Sequence, residues 1–331
     1  MKRKKKRLLM LLTILIIVTI VFLFMKFFNG KLFYLSTGLN KQTLMKVDNE
    51  KTYTFEAEIL MSDARSQYEK MFGTGIWKEQ ISGEPFEEYI KEQIRVKLIR
   101  VRCMNSLAKE KGIVLGREES DAVKNASRKF YSSLSDSQKE SLSVTEEKLN
   151  QMFTEFAIAQ KLYKDMTSLM DIEVSSDDAR VINIQYIVTD TREQIEKAYG
   201  EITNGSSFFT VAKEYNPDGN YEYELKKGEM DSAFETAAYN LSTGEMSGII
   251  EAAGKYYIIR CTSDNDKAKT EVNKTAMLEQ KRLEKFNETF GEYEAEKYIE
   301  WNDSYWNKLS ISQCEVLPLS FEDTFNSISI N

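Results

Sequence analysis

A chain of 331 residues with 52 acidic and 45 basic side chains is long enough for two or three domains and carries a formal charge of −7. It has no histidine, which excludes Ser-His triads, Cys-His pairs and histidine-ligated metal sites; no metal or cofactor is expected. Seven basic residues, Lys2 to Arg7 and Lys26, lie at the start, so the rest holds 45 − 7 = 38 basic against 52 acidic residues, a balance of −14 that argues against nucleic acid as a partner.

Leu8 to Met25 is an uncharged run of 18 residues, apolar except for Thr13 and Thr19. In a helix it roughly spans a hydrocarbon core of about 30 Å. The basic flank predicts a cytoplasmic N-terminus, with everything after Phe28 outside. A cleaved signal peptide is the alternative. The run is long for a signal segment, no Ala-x-Ala site follows and no cysteine lies nearby. An uncleaved single-pass anchor over residues 1–28 is therefore expected, with the bulk of the chain extracytoplasmic at the cell membrane.

Residues 29–46 read as a tether. Val47 to Tyr53 reads as a short strand turning at Asn49-Glu50, and Phe55 to Phe72 as a helix broken by Gly73, Gly75 and Gly83. A long helix is predicted from Pro85 to Lys111, with proline in its first turn and Gly112 at its end. Its stripe of Phe86, Ile90, Ile94, Leu98, Val101, Met104 and Leu107 has helical spacing. Further helices follow at Arg117–Ser133 and Thr145–Met170, with Thr145 as cap and Ser135 to Lys139 as a polar loop between them. The odd set Cys103, Cys261 and Cys314 fits two buried small hydrophobes and a tail thiol better than redox chemistry.

The stretch from Val181 to Asp264 is the most distinctive. A buried strand, Val181 to Val188, leads into helical segments at Thr191–Ile202 and Phe208–Tyr215. Gly228-Glu229-Met230-Asp231-Ser232-Ala233-Phe234 runs on to Leu241 and then Thr243 to Gly248, and the stretch closes on the strand Tyr256 to Cys261. This order resembles the parvulin (PpiC-type) prolyl isomerase domain, most specifically from Gly228 to Gly248 and from Tyr256 to Arg260. The preceding helices, with the phrase Gln67 to Gly73, resemble the N-terminal helical domain of SurA-like and PrsA-like chaperones. Asp266 to Glu300 reads as one charged amphipathic helix, which cannot fold alone; the resemblance implies that it packs back on the N-terminal helices. Trp301, Tyr305 and Trp306 either pin its end or form a binding patch. The tail from Ile311 gives no signal beyond Pro318. The expected fold is α+β. A parvulin-like domain at 179–264, a small antiparallel sheet with helices, is inserted in a helical domain made of 29–178 and 265–331, behind an N-terminal transmembrane helix.

The resemblance also implies a site. Its proline pocket falls on Leu225, Met230 and Phe234; Met230 and Phe234 are four apart and share a face if helical, a spacing that fits plain core as well. The family's two usual histidines fall on Gln185 and Tyr257, and its acid-or-thiol position on Asp218. The usual Gly-Gly-Asp-Leu-Gly phrase is replaced by Asn220 to Glu224. Gln185 and Tyr257 either hydrogen-bond across adjacent strands or are an ordinary strand pair. The implied function is a membrane-anchored foldase that holds unfolded or proline-containing secreted polypeptides and isomerises prolyl bonds weakly. A non-catalytic holdase and a structural envelope protein with a fixed partner are the alternatives.

Overall fold

The computed structural model describes residues 39–330, apart from 41, 49, 217 and 218. The expected anchor over 1–28 therefore lies outside the described residues, as does Asp218. Among the described residues no helix is long and apolar enough to cross a membrane. The chain divides into two compact units, one made of residues up to Met170 together with Glu284–Asn331, the other of Asp171–Leu283. The division falls inside a long helix, Lys267–Ala295.

The helical unit opens with a hairpin, β1 (Thr43–Val47) and β2 (Glu50–Tyr53), where the sequence suggested one strand. Helix α1 (Thr54–Phe72) follows, its first turn closed by Glu56 accepting the Tyr53 N–H at 2.8 Å. A 3-10 turn (Thr74–Lys78) and a two-residue hairpin, β3 (Gln80–Ile81) with β4 (Glu84–Pro85), lead into α2 (Phe86–Lys111). Helix α2 stops at Gly112, whose φ of +70° is a left-handed cap that a side chain would strain. Next come α3 (Arg117–Ser133), α4 (Asp136–Ser141) and α5 (Glu146–Ser168), the last capped by Thr145. The segment read as a polar loop is helical because Ser135 and Gln138 form a reciprocal cap: Ser135 Oγ accepts the Gln138 N–H at 3.2 Å and Gln138 Oε1 accepts the Ser135 N–H at 3.0 Å. Beneath these helices, Arg102 is almost fully buried, held by Glu56 at 2.7 Å, Thr52 at 2.7 Å and Glu155.

In the rest of this unit Phe286 and Phe290 of the long helix pack with the N-terminal helices, Phe286 meeting Tyr163 at 5.0 Å, but the helix end and the tail differ from expectation. Helix does not continue to Glu300. Ile299–Trp301 forms a strand, here the outer member of a β2-β1 sheet, with Met45 opposite Trp301. Tyr298 precedes it and Ile299 and Trp301 point into the core, a two-residue period that a helix would have split. Trp301 and Trp306 meet edge-on, 5.1 Å apart, both buried. The tail is not featureless either. A short helix at Phe321–Asn326 buries Phe321 against Phe153 (4.7 Å) and Phe156 (4.9 Å).

The second unit is a four-stranded antiparallel sheet of β5 (Ile182–Thr189), β6 (Glu222–Leu225), β7 (Ile250–Ala252) and β8 (Lys255–Ser263), in the order β6-β5-β8-β7. Alternation along the strands makes two apolar layers. Ile187 and Ile258, opposite one another, pack on α6 (Arg192–Thr203) and α7 (Phe208–Tyr215) through Ile195, Ala198, Val211 and Ala212. Ile182, Ile184, Leu225 and Ile259 face the other way, onto Phe234 and Ala238 of α8 (Ser232–Tyr239).

Candidate functional site

The expected pocket residues gather on this second layer. Leu225 ends β6, Phe234 and Ala238 come from α8, and Tyr257 comes from β8; Met230 packs against them from the turn before α8. Leu225 is 0% and Phe234 1% exposed, while Met230 and Tyr257 are half-buried. The Phe234 and Tyr257 rings meet edge-to-face at 5.1 Å, an arrangement aromatic quadrupoles favour. In this conformation the Tyr257 ring lies beside Phe234, whose own ring is buried.

The turn that delivers Met230 is held from α8. Glu235 accepts the N–H groups of Gly228 (2.7 Å) and Met230 (2.9 Å). Gly228 has φ of +87°, which glycine adopts without strain. Asp231 caps α8 by accepting the Ala233 N–H at 2.9 Å. One turn beyond Glu235, the Tyr239 hydroxyl reaches the carbonyls of Leu225 and Arg180, each at 3.1 Å. Burial first, and then the Glu235 carboxylate, push the Tyr239 phenol well above its usual range, so it stays a donor. Glu235 and Tyr239 thus fix Phe234 between the turn and the end of β6. The sequence reading singled out neither; their i, i+4 spacing on α8 was the available signal.

Gln185 is not part of this cluster. The register sets Gln185 opposite Arg260 and Val188 opposite Tyr257. Gln185 and Tyr257 are therefore three positions apart and on opposite faces of the sheet, because a three-residue offset along paired strands reverses the side. They neither hydrogen-bond nor form a strand pair. The Gln185 amide instead donates to Glu222 on β6 at 3.4 Å. Tyr186, opposite Ile259, shares the Tyr257 face of the sheet. The loop leading towards Asp218 is tied to β5 by buried Asn216: its Oδ1 accepts the Val188 N–H and its Nδ2 donates to the Tyr186 carbonyl, each at 3.0 Å. Among the described residues no group of three or more acidic or cysteine side chains could hold a metal ion.

Two family models match the chain, a SurA-like N-terminal domain over residues 1–126 and a PPIC-type PPIase domain over residues 188–263. The chain joins a SurA-like N-terminal domain to a PPIC-type parvulin domain. It is homologous to PrsA foldases. Foldase protein PrsA of Caldanaerobacter subterraneus subsp. tengcongensis is 24% identical over 233 residues, which is 65% of this chain and 71% of that protein. Foldase protein PrsA of Bacillus subtilis is 28% identical over 185 residues, 51% of this chain and 58% of that protein. Among solved structures, a Bacillus cereus peptidylprolyl isomerase (PrsA) aligns over 91% of this chain and 99% of its own at 17% identity, with a TM-score of 0.36. At a TM-score that low the likeness defines no detail of the fold, which rests on the sheets and helices described above. The parvulin domain lies within the sheet unit, and its phrase from Gly228 to Leu241 contains the turn and helix that Glu235 and Tyr239 hold in place.

Proposed function

We propose that this protein is an extracytoplasmic foldase for secreted polypeptides, anchored by its N-terminal apolar run, whose SurA-like part holds clients and whose parvulin domain isomerises prolyl bonds weakly. The observation that carries this reading is the pairing, in one chain, of the two domains with a retained apolar cluster at Leu225, Met230 and Phe234.

Prolyl isomerisation needs no nucleophile or metal. Its barrier of about 18–20 kcal/mol is amide resonance. The twisted transition state has lost that resonance and is less polar than the planar imide, so a dry apolar grip favours it over the ground state. Leu225, Met230 and Phe234 supply the grip once Tyr257 moves aside, and that movement subtracts from the binding energy available for catalysis. Asp218 would stand by the imide as the remaining polar group; Gln185, on the far face, takes no direct part. The experiment is isomerisation of a proline tetrapeptide by the full-length chain, beside suppression of aggregation of several unrelated denatured proteins. A relaxation faster than the uncatalysed 10–100 s, together with protection of several clients, supports the reading. Protection of none would refute the foldase. The closed Phe234–Tyr257 contact favours a second reading, a holdase that keeps the parvulin fold for binding alone; an uncatalysed rate with clients still protected would establish it.

A further inference from the structure

The helical unit carries an aromatic surface that the parvulin site does not use. It is formed where the end of α1, the 3-10 turn, the β3-β4 hairpin and the start of α2 meet. Tyr68 is its centre: its ring lies 5.1 Å from Phe86, 6.0 Å from Trp77 and 6.4 Å from Phe72. Phe86 in turn meets Tyr89 at 6.4 Å. Trp77 is the floor, 7% exposed, and its Nε1 donates to Glu69 at 3.0 Å. Glu69 also takes Arg65 at 3.0 Å, and Arg65 donates to the Cys314 carbonyl at 2.5 Å. The platform is therefore fixed from below. Above, Phe72 is 46% exposed and Tyr68, Phe86 and Tyr89 are half-buried. Neither the Tyr68 nor the Tyr89 hydroxyl has a hydrogen-bond partner among the described residues. A single exposed ring needs no explanation, but a braced group of rings that stops short of burial marks a contact surface.

The hairpin and the first turns of α2 that carry Phe86 and Tyr89 are acidic. Glu84, Glu88 and Glu92 follow one another at intervals of four, and Glu79 and Glu84 are exposed without an ion-pair partner among the described residues. Burial raises the affinity of Glu92 for its proton; Arg95 opposes this, and the neighbouring Glu84 and Glu88 carboxylates add to it. From Tyr68 to Glu92 the chain has six glutamates against three lysines, and one of those, Lys91, is buried and bridged to Glu88. Rings edged by carboxylates suit a guanidinium or ammonium lying over an aromatic face, with apolar side chains on the remaining rings. The Tyr89 hydroxyl can bond an extended backbone.

We propose that this surface is a client-docking site of the helical unit, selective for extended polypeptide segments in which arginine or lysine alternates with aromatic or large apolar residues. It rests on the foldase reading and names the client chemistry that the helical part selects.

The test uses the full-length chain and two fluorescent peptides of equal length and equal phenylalanine content, one alternating Phe with Arg, the other Phe with Glu. The Arg peptide should bind at least tenfold more tightly in an anisotropy titration. Phe72→Ser, and separately the pair Glu79→Lys with Glu84→Lys, should each weaken it at least fivefold with unchanged circular dichroism and melting. All three positions are exposed, so these variants should fold. Equal affinity for the two peptides, or variants that bind like the parent, would overturn the proposal; if the parent still protected denatured clients, the foldase reading would stand without it. A parent that protected no client would remove both. Phe72-dependent binding to phosphatidylcholine vesicles with no peptide binding would mark a membrane contact and overturn it too.

Discussion

On the proposed reading, Tyr257 and Phe234 decide whether the parvulin domain takes a proline ring. Phe234 is 1% exposed and edge-on to Tyr257. Tyr257→Ala should therefore open the cluster and raise the isomerisation rate, while Phe234→Leu should lower it by keeping bulk but losing the ring. Gln185→Ala should leave the rate unchanged, since Gln185 faces the other side of the sheet. Tetrapeptide kinetics on the three variants check this; a rate that falls with Gln185→Ala and ignores Phe234 would place the site elsewhere. A second residue gives a pH prediction. Glu294 is buried, and desolvation raises its carboxyl from 4.5 to about 7 against the pull of Arg100. The folded state thus holds a proton that the unfolded chain releases. The stability this contributes is present below about pH 4.5 and is lost as pH rises through about 7. Glu294→Gln should flatten that decline. All three tryptophans, Trp77, Trp301 and Trp306, lie in the helical unit, so urea titrations followed by tryptophan fluorescence at pH 5 and pH 8 read the difference there.

At the scale of elements, helices whose ends carry their own chemistry were legible. Helix α3 has the limits its pattern predicted, Arg117 to Ser133, and Thr145 caps α5. Helix α4 was read as a polar loop, because its polar composition hid the local signal of Ser135 three residues before Gln138. The C-terminal helix Phe321–Asn326 was not. It is six residues long, and isolated helices that short are unstable in water; its existence depends on partners distant in sequence. Asp63 supplies one, accepting the N–H groups of Phe321 (3.0 Å) and Glu322 (2.7 Å) from α1. The Phe153 and Phe156 rings supply the others. Phe321→Ala should accordingly cost the helical unit about 3–5 kcal/mol, seen as an earlier tryptophan-fluorescence transition in urea. A shift below about 1 kcal/mol would mean that the tail is accessory.

For the whole molecule, the sequence order matters. The sheet unit, Asp171–Leu283, interrupts the helical unit, whose last part begins at Glu284. Strand Ile299–Trp301 pairs with β1 across more than half the chain, and Leu317 donates its N–H to Ser62 at 2.8 Å. Long-range pairings of this kind are slow to form. The charge of the chain bears on its placement. With −14 after the anchor and the basic cluster before it, the proposed topology is cytoplasmic at the N-terminus and outside thereafter. A reporter fused after Asn331 should be active outside the membrane and inaccessible to cytoplasmic labels; the reverse pattern would refute the anchor. Labelling Cys314 directly is a poor substitute, since burial pushes its thiol up to about 11 and little thiolate exists at neutral pH.

The sequence by itself determined the local and the covalent. Glycine at 112 and 228, the caps at Ser135 and Thr145, the apolar stripe of α2 and the order of the parvulin phrases are properties of neighbouring residues, so a single chain displays them. The N-terminal anchor, too, is a reading of the sequence alone. Tertiary structure decided what depends on pairing between distant segments. It set Gln185 and Tyr257 on opposite faces, because register is fixed by the whole sheet and each one-residue step reverses every side chain. It turned Ile299–Trp301 into a strand by offering β1 as its partner. It made a helix of a tail with no periodic signal, because Asp63, Phe153 and Phe156 were waiting for it. And it brought Tyr68, Phe72, Trp77, Phe86 and Tyr89 into one surface, which their spacing in the chain did not announce.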